Sequence, residues 1–383
     1  MDFELSEDQQ ALREAADALL EDRCPPERVR AVADSGYFFD RELWAAMAAQ
    51  GWLGVGRPVE DGGLGLGLVE TSLLCESIGA RVAPVPFLGT VLAADTLAAA
   101  VATHEASADD PLGGTDDLGA TLMRLAAGEA VGAIAWSRRP EAVVGHPVAG
   151  SSSRQQWLLS GRADPVVDAP VCDVVIVFAV TDSGVCLFAL TPGPEDRPGP
   201  EPAMDRTRAV GWLDLDRAPA LRIGSADAAA ALLDRGATLS AAEMLGGARR
   251  VLDMSVQYAK DRVQFDRPIG SFQAVKHRCA DMLVDVEGMQ SSAYFAAWTV
   301  GADHVDAHAA ASVAKVWCSD ASARVMAGGL QVHGGIGFTW EHDLHLFVKR
   351  AQLDQVRFGD ATVHRERLAG ILRPRAEKGE PVL

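Results

Sequence analysis

Apolar residues recur at helical spacing through both ends of the chain and gather into short runs between them. Near the N-terminus, Leu12, Ala15, Ala16 and Leu19 follow Leu5-Ser6-Glu7 with the period of an amphipathic helix. Ser6 and Gln9 form the S-x-x-Q pattern of a capping box, which places the helix start. Leu43, Met47 and Leu53 predict a second helix, ending in a glycine-rich loop over 51–67 that contains PVEDGGLGLG. Helical runs follow over 68–80 and around 88–102. The acidic, turn-rich stretch 103–119 predicts an exposed loop before a helix over 121–127.

From about 130 to 225 the pattern changes. Two continuous apolar runs, 174–180 and 185–190, flank Thr181-Asp182-Ser183-Gly184 and predict a hairpin. Trp157-Leu158-Leu159 and 212–215 add strands, and the prolines over 192–202 mark a loop. No helix alternates with these strands, so they form a small β domain and not a βαβ unit. Beyond 226 the helical period returns. Leu245, Ala248, Leu252, Val256 and Ala259 make one stripe; Val251 and Met254 add a second apolar side, so this helix is expected to be deeply buried. Met282, Val284 and Val286 open the next helix. Residues 307–328 form an alanine-rich third, punctuated by Gly328-Gly329 and Gly334-Gly335, and the tail after Pro374 is expected to fray. The fold class is α+β, with a helical domain over 1–128, a β domain over 129–225 and a helical bundle over 226–383.

Composition narrows the functions. With 383 residues, 48% hydrophobic and 23% charged, the chain has the make-up of an ordinary globular protein. Its net charge of −18 excludes nucleic acid as a natural partner, and any anionic ligand needs a local cationic or amide-lined site. The six cysteines are scattered with no C-x-x-C pair, as reduced core cysteines are. The acidic MDFELSEDQQ start has no signal-peptide core and no run predicts a membrane span, so the expected address is cytoplasmic.

The stretch 258–277, YAKDRVQFDRPIGSFQAVKH, carries the most chemistry. A helix ends at Asp261-Arg262, a turn uses Phe265, Asp266, Pro268 and Gly270, and a helix restarts near Ser271. The turn gathers a cation, an aromatic face and an amide in Arg262, Phe265 and Gln273. That set suits a phosphate-bearing aromatic ligand, or is a plain corner with a solvated Arg and a core Phe. Gly334-Gly335 either stops a helix or admits close backbone approach, and His333 either touches a ligand or caps a turn. The 51–67 loop lacks the G-K-S/T of a phosphate loop. His342-x-x-His345 lacks a metal-binding spacing and a third ligand, so no metal is expected. Ser151-Ser152-Ser153 has no G-x-S-x-G context.

Two segments in order carry a family resemblance. Arg262-Val263-Gln264-Phe265 through Ile269-Gly270-Ser271-Phe272-Gln273 resembles the R-x-x-F-G-x-x-I-x-x-F-Q motif of the acyl-CoA dehydrogenases, with Asp266 where glycine is usual. The run Gln331-Val332-His333-Gly334-Gly335-Ile336-Gly337-Phe338 resembles their Q-x-x-G-G-x-G-[YF] motif. The resemblance implies an N-terminal helical domain, a middle β-barrel-like domain and a C-terminal four-helix bundle. It also implies FAD-dependent α,β-dehydrogenation of an acyl-CoA, with an electron-transfer flavoprotein as acceptor. Arg262, Phe265, Gln273, Gln331, His333, Gly334 and Gly335 would then hold the adenosine-diphosphate half of an FAD that belongs to the neighbouring subunit.

Other family patterns are missing. The T-E-P…G-S-D segment that meets the flavin ring reads Ala135-Trp136-Ser137-Arg138-Arg139-Pro140-Glu141, and the W-I-T-N segment reads Pro165-Val166-Val167-Asp168. Phe358 stands where many members carry the catalytic Glu, so no catalytic residue is assigned. Asp360, two residues on, would point away if the segment were helical. The alternative base position falls near Gly236; the nearest acids, Asp234 and Glu243, read as solvated helix acids. This combination resembles the small or β subunit of heteromeric enzymes, whose tail also reads F-G-D. It implies a Glu-bearing paralogous α subunit in an α2β2 assembly, an acyl-CoA substrate and, by the habit of such enzymes, a bulky acyl group. The alternatives are a homomeric flavin oxidase or monooxygenase of the same fold and a cofactor-free structural partner.

Overall fold

In the computed structural model, which describes residues 4–36, 38–59, 63–105, 115–148, 156–193 and 195–380, Ser6 starts the first helix, α1 (Glu7–Arg23), as its spacing predicts. Its hydroxyl accepts the Gln9 N–H at 3.2 Å, while the Gln9 side-chain oxygen accepts the Ser6 N–H at 3.0 Å. Next come α2 (Pro26–Ser35) and α3 (Arg41–Ala49), the latter capped by Asp40. They are followed by α4 (Leu68–Arg81), α5 (Phe87–Glu105) and α6 (Thr115–Ala126), the last starting earlier than its sequence predicts. Ser151–Ser153 and the centre of the acidic stretch, 106–114, lie outside the described residues.

The strands are β1 (Gly132–Ala135), β2 (Val143–Pro147), β3 (Gln156–Val167), β4 (Val174–Thr181), β5 (Gly184–Leu190) and β6 (Val210–Gly224). The β4–β5 hairpin turns at Asp182-Ser183, as predicted. Strand β5 pairs with both β4 and β6, so β4, β2, β3, β6 and β5 close on themselves. The other edge of β4 carries two parallel neighbours that the sequence did not suggest: β1 at its start (Gly132 with Val174) and β2 at its end (Val144 with Val180). Strand β3 is bulged against β6 between Ala163 and Val166, where Pro165 has no N–H to give a ladder.

The helices resume with α7 (Ala226–Asp261). A two-stranded hairpin, β7 (Val263–Gln264) and β8 (Arg267–Pro268), leads to α8 (Gln273–Gly301). Then come α9 (Ala307–His333), α10 (Leu344–Val356) and α11 (Ala361–Lys378). Two expectations fail here. Gly328-Gly329 does not end α9, which continues to His333: a Cβ at Gly328 would lie 2.8 Å from the Met282 sulfur, and one at Gly329 2.5 Å from the Val251 side chain. These glycines serve close helix packing. Nor does the tail fray at Pro374, which sits inside α11 near its end.

The chain packs as two compact units, one of residues 1–30, 68–83 and 237–383, the other of 31–67 and 84–236. In the first, α4 crosses α7 at backbone contact: a Cβ on Gly79 would lie 2.0 Å from the Glu243 carbonyl oxygen, and one on Gly246 1.8 Å from that of Glu76. In the second, the closed sheet holds a core that includes Ile176, Phe188, Leu159 and Cys186.

Candidate functional site

The last turn of α7 delivers the first candidate. The Arg262 N–H bonds the Tyr258 carbonyl at 2.9 Å, and the Ile269 N–H returns to the Arg262 carbonyl at 2.8 Å, closing the β7–β8 hairpin. Its two tip residues, Phe265 (φ 53°) and Asp266 (φ 61°), are both left-handed, which is the geometry of a primed two-residue turn. Glycine or asparagine suits such a turn; a Phe there is a genuine outlier. The strained tip thrusts the Phe265 ring into solvent, 86% exposed, contrary to a core role. Phe272 packs edge-on to Phe265, and the Arg267 guanidinium lies 4.1 Å from the centre of the Phe272 ring. Arg262 is exposed and its side chain has no partner among the described residues. Gln273 opens α8 behind Phe272, which offers no side-chain oxygen as a cap, and the first turn holds no acid. An uncapped helix N-terminus beside a free arginine is a natural place for an anion.

The second candidate lies where α9 ends. Gln331 is exposed. Gly334 adopts φ 62°, ψ −138°, a conformation open essentially to glycine alone. A Cβ on Gly334 or Gly335 would meet nothing within 4 Å, so no packing inside the chain explains why Gly335 is small. His333 points inward and is only 4% exposed. Its Nδ1 donates to the Gly329 carbonyl at 2.8 Å, which fixes the neutral tautomer, and Nε2 is buried without a partner. The ring stacks on Tyr258 (4.7 Å, 24°) and lies 4.6 Å from the His342 ring. Burial pushes the pKa values of His333, His342 and His345 down. The structure thus sets the ends of α7 and α9 side by side, with Arg262 four residues beyond one partner of the stack and Gly334 directly after the other.

The third place is the turn at Phe358. It is not helical: Phe358 has φ 54° and Gly359 φ 96°. Asp360 caps α11, its carboxylate accepting the Val363 N–H at 2.9 Å, so it serves the backbone and not a substrate. The turn is held from behind. Lys315, fully buried, donates to the carbonyls of Asp354 (2.6 Å) and Gln355 (3.1 Å); His364 Nε2 donates to the Phe358 carbonyl at 2.8 Å. Desolvation lowers the Lys315 pKa to about 7, and the nearby Asp354 limits the drop. Phe358 itself is buried beside the Arg357 guanidinium.

The reading of Asp234 and Glu243 as solvated acids is overturned, since both are 2% exposed. Glu243 lies under the α4–α7 crossing and pairs with Arg350 (2.8 Å) and more loosely with Arg357 (3.6 Å). Its charge is committed to two buried cations. Sequence reasoning did not find Arg350 or Lys315, although Lys315 is a lone charge inside an apolar helical stripe; His364 fits a helix surface by its sequence, and the structure overturns that, since it is fully buried.

In the other unit, the 135–141 segment bonds to Asp164, the residue just before the 165–168 segment. The Asp164 N–H donates to Ser137 Oγ (2.9 Å), and the Arg138 N–H donates to the Asp164 carboxylate (2.8 Å). Arg162 lies 4.2 Å from the centre of the Trp212 ring and pairs with Asp214 at 3.3 Å. Among the described residues no three His, Cys, Asp or Glu side chains gather as a metal site, and no helix is long and apolar enough to cross a membrane.

Comparison with known proteins agrees with this geometry. Residues 6–109 match the model of the acyl-CoA dehydrogenase N-terminal domain, and 224–372 that of the C-terminal domain. The chain is 35% identical over 348 residues to the acyl-CoA dehydrogenase IpdE2 of Mycobacterium tuberculosis, covering 90% of this chain and 91% of that one. Among solved structures, a chain of the ChsE4-ChsE5 complex from Mycobacterium tuberculosis superposes with a TM-score of 0.86 at 31% identity, covering 97% of this chain and 99% of that one. A chain from a variant of the Tcur3481-Tcur3483 steroid ACAD gives 0.85 at 28% identity, covering 97% and 99%. With both terminal models matched in order, and with relatives of this identity aligned along nearly their whole length, the chain belongs to the acyl-CoA dehydrogenase family.

Proposed function

We propose that this chain is the base-lacking subunit of a heteromeric acyl-CoA dehydrogenase, and that it contributes the site for the adenosine-diphosphate half of FAD. One observation carries the reading: the turn at 358 is built and braced, yet its side chain is phenylalanine, which accepts no proton. FAD fits the other residues present. Arg262 has a free guanidinium for a phosphate, the α8 N-terminus is uncapped, Phe265 offers an exposed ring, and Gly334 and Gly335 leave open space for close backbone approach. When bound, FAD supplies the hydride acceptor for α,β-dehydrogenation.

This chain's own work is to bind and orient. Arg262 and the α8 amides neutralise the diphosphate, Gln273 and Gln331 offer amide hydrogen bonds, and the glycines let the backbone close in. Pro165 stands where the family pattern has an aromatic ring contact and Phe358 where it has Glu, so we assign the flavin-ring pocket and the proton-accepting Glu to a paralogous partner. The solved relative named as a complex of two proteins supports an assembly of this kind, and the relative described as a steroid enzyme supports a bulky polycyclic acyl-CoA as substrate. An electron-transfer flavoprotein is the acceptor we favour.

Purification alone and with a Glu-bearing paralogue tests the proposal. The expected result is a colourless single chain without activity, and a yellow α2β2 assembly that oxidises acyl-CoA and holds FAD at the mixed interfaces. A single chain that purifies with stoichiometric FAD and turns over acyl-CoA, or consumes oxygen as a homomer, overturns it.

A further inference from the structure

We infer that the stacked rings of Tyr258 and His333 form a brace that couples the two flavin-holding segments, so that the Arg262 hairpin and the Gly334-Gly335 loop are ordered together or not at all. The inference rests on the function proposed above and adds to it two positioning residues and a pH dependence.

The geometry begins one turn below the stack. Gly329 lets α9 approach α7 so closely that a Cβ there would reach Val251, with Ser255 next at 3.4 Å. Four residues on from Gly329 is His333, and three on from Ser255 is Tyr258, so the two rings meet on the same faces of the helices one turn later. Both helices end within a few residues of this contact: α7 gives way to Arg262 and α9 to Gly334. The hydrogen bond from Nδ1 to the Gly329 carbonyl holds the His333 ring in the plane needed for stacking. Its buried Nε2 has no exposed surface, so His333 acts on a ligand through the loop and not by touching it.

The brace holds neutral rings. The His342 ring also packs against His333, and His345 follows three residues on, beside Trp340. The charged groups that bear on His342 and His345 are Asp343, which favours protonation, Arg30 of α2, which opposes it at both, and Lys349 of α10, which opposes it at His345. Burial outweighs each of these and favours the neutral form of all three rings. Because the closed form refuses protons that an open, hydrated loop would take, closure is fully favourable above the ordinary histidine pKa of about 6.5 and is lost as pH falls below it. Arg30 also ties the loop from outside, pairing with Asp343 and donating to the Glu341 carbonyl at 3.0 Å.

Amide hydrogen exchange on the full-length chain without flavin is the deciding measurement. His333→Ala and Tyr258→Ala should each speed exchange about tenfold in both 262–266 and 334–338, while Tyr258→Phe, which keeps the ring, stays near wild type. His333→Phe should restore most of the protection and remove the His333 share of the acid-side loss between pH 7.5 and 5.5. In the assembly purified with its partner, the two alanine variants should hold FAD about tenfold less tightly. Exchange that rises in only one segment, or in neither, overturns the brace, as does an unaltered acid-side loss in His333→Phe. Exchange is read without flavin, so a brace that behaves as expected in a protein that never binds FAD would overturn the proposed function and leave the brace standing.

Discussion

Asp266 holds φ 61° in a position where a left-handed residue is required and the family pattern has glycine. Replacing it should relieve backbone strain of about 0.5–1 kcal/mol, so Asp266→Gly is expected to raise the thermal midpoint by about one degree in a chain of this length. A fall in the midpoint would mean the carboxylate does something the strain argument omits. Glu243 is the opposite case. Glu243→Gln removes the carboxylate paired with buried Arg350 and one of the two beside Arg357, and the expected cost is about 3–5 kcal/mol by denaturant unfolding. At this scale the sequence was partly legible. Arg262, Phe265 and Gln273 could be picked out because a cation, a ring and an amide around Pro and Gly form an unusual local set. Glu243 was misread, because the same helical spacing describes an acid facing water and one covered by another helix. Only the small Gly79 opposite it hints at the cover, and a glycine 164 positions earlier in the chain is not a readable partner.

The crossing of α4 and α7 depends on two glycines. Gly246→Ala drives a methyl to 1.8 Å from the Glu76 carbonyl oxygen, and backbone does not yield as a side chain does. The expected outcome is loss of soluble protein, or destabilisation well above the roughly 1 kcal/mol that a glycine-to-alanine change ordinarily moves a helix. Lys315 sets a second property of the helices by capping the carbonyls that end α10. Its pKa in the fold is about 7 against an ordinary 10.5, so the unfolded chain binds the extra proton between these values. Stability should therefore rise with pH from about 7 towards 10.5, and Lys315→Met should flatten that rise in unfolding curves taken across the interval. Helix starts were legible where a side chain does the capping, as at Ser6. Helix ends were less so. Gly328-Gly329 looked like a stop because glycine marks both C-termini and close packing, and Pro374 looked like a break although it falls near the end of α11.

For the whole molecule, the division into two helical regions flanking strands was readable from periodicity alone. The closure of the sheet was not, since it depends on β2 pairing with β4 and β3 with β6, strands that are not neighbours in sequence. The parallel placement of β1 and β2 against β4 is likewise a long-range fact with no local signature. The acidic chain also exposes apolar side chains around the candidate site: Phe265, Ile336, Phe338 and Trp340. If the partner subunit covers them, Phe338→Ser with Trp340→Ser should leave the thermal midpoint of the isolated chain within a degree or two while abolishing co-elution with the partner in size-exclusion chromatography. Unchanged co-elution would place the subunit contact elsewhere.

The turn at Phe358 draws its shape from Lys315, His364 and Asp360, and none of the bonds that hold it involves the side chain at 358. That separation bears on how such a chain could arise. A catalytic carboxylate at this point can be exchanged for a ring without disturbing the backbone, so a duplicated gene can lose its chemistry in one step and keep its place in the assembly. The reverse step is equally short. Phe358→Glu buries a carboxylate near Arg357, so it should fold with a lowered midpoint, and any proton abstraction it shows would measure how much of a working site surrounds the turn.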